Sequence, residues 1–225
     1  MTQKEKIIEY IKRVVAMLIG LFLAATGVNF TIKAEIGASP LGCCPAVFSK
    51  PLGVSVGTVM GAMCIGFVIA QILIFRKKFP PFQILQLGVS VVYGWFTDLS
   101  AAMISGFTAS NFVLKALFCA IGIVLLAFGI AVLIRANVLM LSPDAMLVRM
   151  SKEFGWDYGK IKIIMDSSMV IIAAVGSLLI YKKLMYIGIG TVAAAIFVGM
   201  LAGKLKKWPA LCRLLDRLIY NTVSG

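Results

Sequence analysis

Six stretches of about twenty residues hold almost nothing but apolar side chains: Val14–Ile32, Val54–Phe75, Ile84–Ile104, Phe112–Ile134, Ile161–Tyr181 and Leu184–Leu201. A helix of that length matches a hydrocarbon core roughly 30 Å thick. Lipid offers no partner to free backbone groups, so an open segment crosses it only as a helix. The two-residue alternation of a membrane β-barrel is absent. The pattern predicts an all-α, polytopic membrane protein with six transmembrane helices. The first stretch also has the apolar character of a signal-peptide core. It is too long for one, and no small-x-small cleavage pattern closes it. It is therefore expected to stay as a span.

The polar punctuation between these stretches recurs. "IKAEIGASPLGCC" (Ile32–Cys44) is echoed by "IRANVLMLSPDAM" (Ile134–Met146). At an offset of 102, Gly27 falls on Gly129, Lys33 on Arg135 and Ala34 on Ala136. After a one-residue slip Ser39-Pro40 falls on Ser142-Pro143, and the offset then resumes through "GVSVGT" on "GWDYGK" and Gly88 on Gly190. Each unit holds three spans, and an odd number turns the second unit over relative to the first. The sequence thus predicts a 3+3 inverted repeat, about 14–106 and about 112–204. These lie within a single membrane domain, 1–225, that ends in a basic cytoplasmic tail at 205–225. Secondary transporters commonly use this arrangement, with the site between the repeats; channels use it too.

Ser before Pro suits a helix start, since Ser caps a free N–H and Pro at the first position loses no needed donor. "SPLGCCPAVFS" and "SPDAMLVRMSKEF" are therefore expected as short helices between the first two spans of each repeat. Two readings follow. The helices lie flat at the membrane surface, or they dip inward from opposite faces and aim their N-termini at an anion. Asp144, Arg149, Lys152 and Glu153 favour a surface position for the second one.

Charge sharpens the picture. The net charge is +13, with 22 Lys and Arg against 9 Asp and Glu. If the N-terminus is cytoplasmic, seventeen of those basic residues fall inside and five (Lys33, Lys50, Lys115, Lys182, Lys183) outside. Retained basic residues set orientation, so both termini are expected in the cytoplasm and the segment 105–111 outside. The surplus reads as orientation signal and headgroup contact with the bilayer. Nucleic acid is not expected, because the basic segments lack interleaved aromatics.

Asp166 stands inside the fifth span with Lys162 one turn before it, and an intramembrane acid is a functional candidate by default. Its alternative is a plain i, i+4 pair near the cytoplasmic end. Candidate solute-binding residues are accordingly Lys33, Ser39, Pro40, Arg135, Ser142, Pro143 and Asp166. Asp98 and Glu35 are expected to be solvated at the outer boundary. No enzyme signature is visible: there is no histidine, the commonest general base, and no phosphate loop or nucleophile elbow. The five cysteines form no zinc pattern and are expected to pack as small apolar residues. No cofactor and no metal are expected.

"IKAEIGASPLG", "GVSVGTV", "GKIKIIMDSSMVIIA" and "GIGTVAAAIFVG" resemble segments of the YczE/YyaS/YitT family of bacterial integral membrane proteins, over about Gly20–Gly203. The resemblance implies a multi-pass protein, in a family usually described as transporters without an established common substrate. The expected function is a secondary transporter or permease for a small polar solute, with an anion as the candidate. Two rivals remain. One is a substrate-binding membrane subunit of a larger transport complex, and the other is a non-transporting membrane assembly protein. Homo-oligomer and membrane partner are both left open.

Overall fold

The computed structural model describes residues 3–205 and 208–219. Within them run α1 (Gln3–Lys33), α2 (Pro40–Leu52), α3 (Val56–Phe75), α4 (Gln86–Met103), α5 (Phe112–Ala136), α6 (Ser142–Phe154), α7 (Tyr158–Tyr181), α8 (Ile189–Leu205) and α9 (Pro209–Ile219). Two 3-10 turns, Arg76–Lys78 and Pro81–Leu85, join α3 to α4. No strand occurs among the described residues. Helices α1, α3, α5 and α7 are long and apolar enough to cross a membrane. Helix α8 is apolar but only 17 residues long, because Leu184–Gly188 forms a loop where the sequence suggested the start of a span. Helix α4 runs 18 residues and buries Gln86, Ser90, Thr97 and Ser100 along one face. Of the expected 205–225 tail, α9 takes 209–219, while 206–207 and 220–225 lie outside the described residues.

The centre of the fold is the antiparallel pair α1 and α5. Gly20 meets Gly129 near one end and Thr31 meets Gly122 near the other. A Cβ added to Gly27 would come 2.5 Å from the Leu126 nitrogen. Membrane helices gain little from apolar burial against each other, so close backbone approach over small residues takes that role. Around this pair the neighbours come in twos. Helix α4 lies on α1 and α8 lies on α5; α2 packs on α7 and α6 on α3.

The turns match as well. Glu35 after α1 and Asn137 after α5, 102 residues apart, both take left-handed backbone with φ of 56° and 49°. Gly53 and Gly155, also 102 apart, close α2 and α6 in the same conformation. Lys33 and Arg135 thus stand at the ends of antiparallel helices, and so at opposite ends of the central pair.

One contact has no counterpart. Helix α3 packs along α4, whereas α7 and α8 do not pack along each other. At the α3–α4 seam a Cβ on Gly57 would lie 2.1 Å from the Gly94 carbonyl oxygen, and one on Gly94 would lie 2.6 Å from that of Gly57. Asp98 closes the seam, accepting from the Gly57 N–H at 2.8 Å and the Ser55 hydroxyl at 2.6 Å. The expectation of a merely solvated Asp98 is therefore corrected: it binds the free N-terminal donors of α3, which a carboxylate suits. Glu35 is likewise paired, with Lys115 at 2.8 Å. Buried Asn29 on α1 donates to the Thr97 carbonyl at 2.6 Å and to Ser100 Oγ at 2.7 Å, fixing α4 on α1.

Candidate functional site

Both Ser-Pro segments begin short helices, as their composition predicts, but neither serine caps its own helix. Ser39 precedes α2 in extended-type backbone, with no hydrogen bond from its side chain to the helix start. Its N–H is held by Thr31 Oγ1 at 3.0 Å. Ser142 lies inside the first turn of α6, and Leu141 takes the position before it. Its hydroxyl turns outward to α3 and donates to the Cys64 carbonyl at 2.7 Å. The capping expectation fails: the Ser142 hydroxyl is committed to α3, and the Ser39 hydroxyl, enclosed beside Gly42, makes no bond to the first turn of α2. The two serines are 1% and 2% exposed, and their fates differ. Ser142 Oγ is satisfied, whereas Ser39 Oγ is buried with no hydrogen-bond partner. Native proteins rarely leave such a group unpaired.

Ser39 lies on a cavity of about 420 Å³ where α7 and α8 fail to meet. Its walls are apolar: Ile130 and Leu133 from α5, Met165 from α7, Ala194 and Val198 from α8. Its polar corner holds Ser39, Asp144, Tyr158, Lys162 and Asp166. Lys162 Nζ is 3.0 Å from Asp166 Oδ1 and 3.7 Å from Asp144 Oδ1. The i, i+4 pair read from the sequence is therefore present, with a second carboxylate supplied by α6. Asp144 sits in the first turn of α6, where the helix dipole favours a negative charge.

The Ser39 turn is tied to α8. The Ala38 N–H donates to the Tyr186 carbonyl at 2.7 Å, and the Gly190 N–H to the Ile36 carbonyl at 2.9 Å. Between them Gly37 takes φ of 133°, and a Cβ there would lie 2.6 Å from the Thr191 nitrogen. Only glycine fits both demands. The polar end of α6 is secured on the other side. Arg149 donates to the Lys78 carbonyl, lies 4.8 Å from the Phe75 ring centroid, and faces Glu153 at 3.7 Å.

Of the residues singled out from the sequence, Ser39, Pro40, Pro143 and Asp166 line this cavity. Ser142 is turned to α3 instead, its hydroxyl donating to the Cys64 carbonyl and its own carbonyl accepting from Gln71. Lys33 and Arg135 are placed elsewhere. Lys33 donates to the Ser105 carbonyl at 2.9 Å, and Arg135 Nε to Asp216 of α9 at 2.7 Å. The sequence reading did not include Asp144 and Tyr158 in the site. The signal for Asp144 was its position just after Ser142-Pro143, in a helix start that the repeat pointed toward the centre. Cys43, Cys44, Cys64 and Cys119 are buried free thiols. No group of metal-ligating side chains occurs among the described residues.

Apolar helices of spanning length around a partly exposed polar cluster define a multi-pass helical membrane protein. The chain belongs to DUF6198, a family of unknown function, which matches residues 11–207. It is 26% identical over 186 residues to the uncharacterized protein YyaS of Bacillus subtilis, covering 81% of this chain and 87% of that one. It is 24% identical over 188 residues to the uncharacterized membrane protein YczE of the same organism, covering 81% and 80%. These matches bear out the resemblance carried by the Ser-Pro and glycine motifs. No solved structure matches the chain.

Proposed function

We propose that this protein is a small secondary carrier of the bacterial plasma membrane, and that its solute binds in the cavity beside Ser39. The observation that carries this reading is the cavity itself: residues of both Ser-Pro starts line it, and Asp144, Lys162 and Asp166 bring charge to an otherwise largely aliphatic wall. The paired neighbours around α1 and α5 support a 3+3 inverted repeat, with α4 and α8 completing six spans. In that arrangement α2 and α6 enter from opposite faces, and solute sites of such carriers lie between the repeats. The division of Lys and Arg supports cytoplasmic termini. On intact cells, Ser105→Cys should then react with an impermeant thiol reagent. Protection of that position sinks the six-span topology.

The carrier reading is tested in vesicles reconstituted with purified protein and offered a panel of labelled small amines, alcohols and carboxylates. Saturable uptake above protein-free vesicles, lost in Ser39→Leu, is the expected result. Binding without uptake favours the rival reading of a substrate-binding subunit that needs an energising partner. Neither binding nor uptake leaves the assembly role standing.

A further inference from the structure

The charged side chains lining the cavity are Asp144, Lys162 and Asp166, two carboxylates to one ammonium. Both acids offer Lys162 the same kind of atom, Oδ1, at 3.7 and 3.0 Å. Each acid keeps its second oxygen for another donor. An ionised carboxylate out of water needs a partner, and attraction between opposite charges grows steeply as the local dielectric falls. The same field repels an anion. The basic residues that suggested an anion, Lys33 and Arg135, are engaged with Ser105 and Asp216 away from the cavity.

We infer that the cavity takes an amphipathic organic cation, a primary ammonium on an apolar body, bound between the Asp144 and Asp166 carboxylates. An ammonium carries three donors and no acceptor. The cavity's polar lining offers it acceptors that Lys162 does not use up, a second oxygen on each acid. The remaining wall is aliphatic, and about 420 Å³ falls within the size range of small-molecule sites. The inference deepens the carrier reading by naming its solute class, and it rests on that cavity being the solute site.

Three probes of one carbon skeleton separate the charges: hexylammonium, hexanoate and 1-hexanol, titrated into purified protein in detergent by calorimetry and by thermal shift. Hexylammonium should bind saturably and raise Tm, as any ligand selective for the folded state does; hexanoate and hexanol should not. Asp166→Asn should weaken hexylammonium at least tenfold, and Asp144→Asn supplies the same test if the first variant does not fold. Lys162→Gln should strengthen it, because the competing ammonium is gone. Lys33→Gln should leave it unchanged. Equal or tighter binding of hexanoate or hexanol overturns the inference, as does unchanged affinity in both Asp→Asn variants. If hexylammonium binds but no panel solute crosses reconstituted vesicles, the carrier reading falls and this inference stands. Uptake of a carboxylate by a protein indifferent to hexylammonium does the reverse.

Discussion

The α3–α4 seam and the α7–α8 opening lie 102 residues apart in the chain, and a handful of side chains separates them. Gly57 and Gly94 let α3 and α4 touch backbone to backbone. At the 102-residue offset Gly57 becomes Gly159, but Gly94 becomes Ile196, and Gly61 becomes Ile163. Ile163 and Ile196 are 67% and 52% exposed, so neither packs across the gap. Asp98, which binds the start of α3, becomes Met200. In the interior, Cys64 of the closed half becomes Asp166 of the open half. Compared at the 102-residue offset, the two halves of the chain thus differ in local size and charge, one closed at a seam and the other holding a polar cavity.

The largest test of that contrast is to remove the lock. Gly94→Ile, which imports the residue of the open half, should cost at least ~3 kcal/mol because the new side chain meets backbone that cannot move aside. Ile196→Ala, its counterpart, should change stability by less than about 0.5 kcal/mol. Thermal unfolding in detergent reads both, and equal losses would erase the distinction between seam and opening. Next comes Asn29, whose counterpart is Ala131. Asn29→Ala removes two buried hydrogen bonds and should cost roughly 1–3 kcal/mol; no loss would mean the α1–α4 contact does not depend on it.

The serines give a finer comparison. Ser142→Ala breaks a buried bond to α3 and should cost about 1 kcal/mol. Ser39→Ala removes a hydroxyl with no partner, so the protein should be as stable as the parent or slightly more so. Reversal of that order would show that Ser39, and not Ser142, is the structural member of the pair.

The smallest effect concerns the surface tie of α6. Lys78, at 2.9 Å, holds Glu153 below the usual carboxylate range. A carboxylate depressed in the folded state contributes stability above its unfolded pKa, and that contribution fades as the pH falls through its folded value. Comparing Glu153→Gln with the parent from pH 7 downward should show a small difference that closes on acidification. A gap that widens instead would sink the Lys78–Glu153 account.

Much of the scaffold was legible because it is local. Apolar runs, Ser-Pro starts and the glycines at 53 and 155 each report on their own neighbourhood, and the repeat register follows from them. Lys162 and Asp166 were legible as a pair because helical spacing alone brings them together. Asp144 was not joined to them, since its approach depends on how α6 settles against α7. Nor does a sequence announce a contact that fails to form, so the opening between α7 and α8 was invisible. Lys33 and Arg135 were paired at the 102-residue offset and assigned one shared site. Corresponding residues meet only near the point where the antiparallel helices cross, and these two lie at the tips.

The attachment of the Ser39 turn to α8 has a mechanical consequence. Hydrogen bonds from Ala38 and Gly190, with Gly37 wedged against Thr191, make the turn and the first residues of α8 a single lever. A swing of α8 that widens the entrance cannot leave Ser39 behind without breaking both bonds. Under the proposed carrier reading, any movement of α8 would therefore carry the Ser39 turn with it.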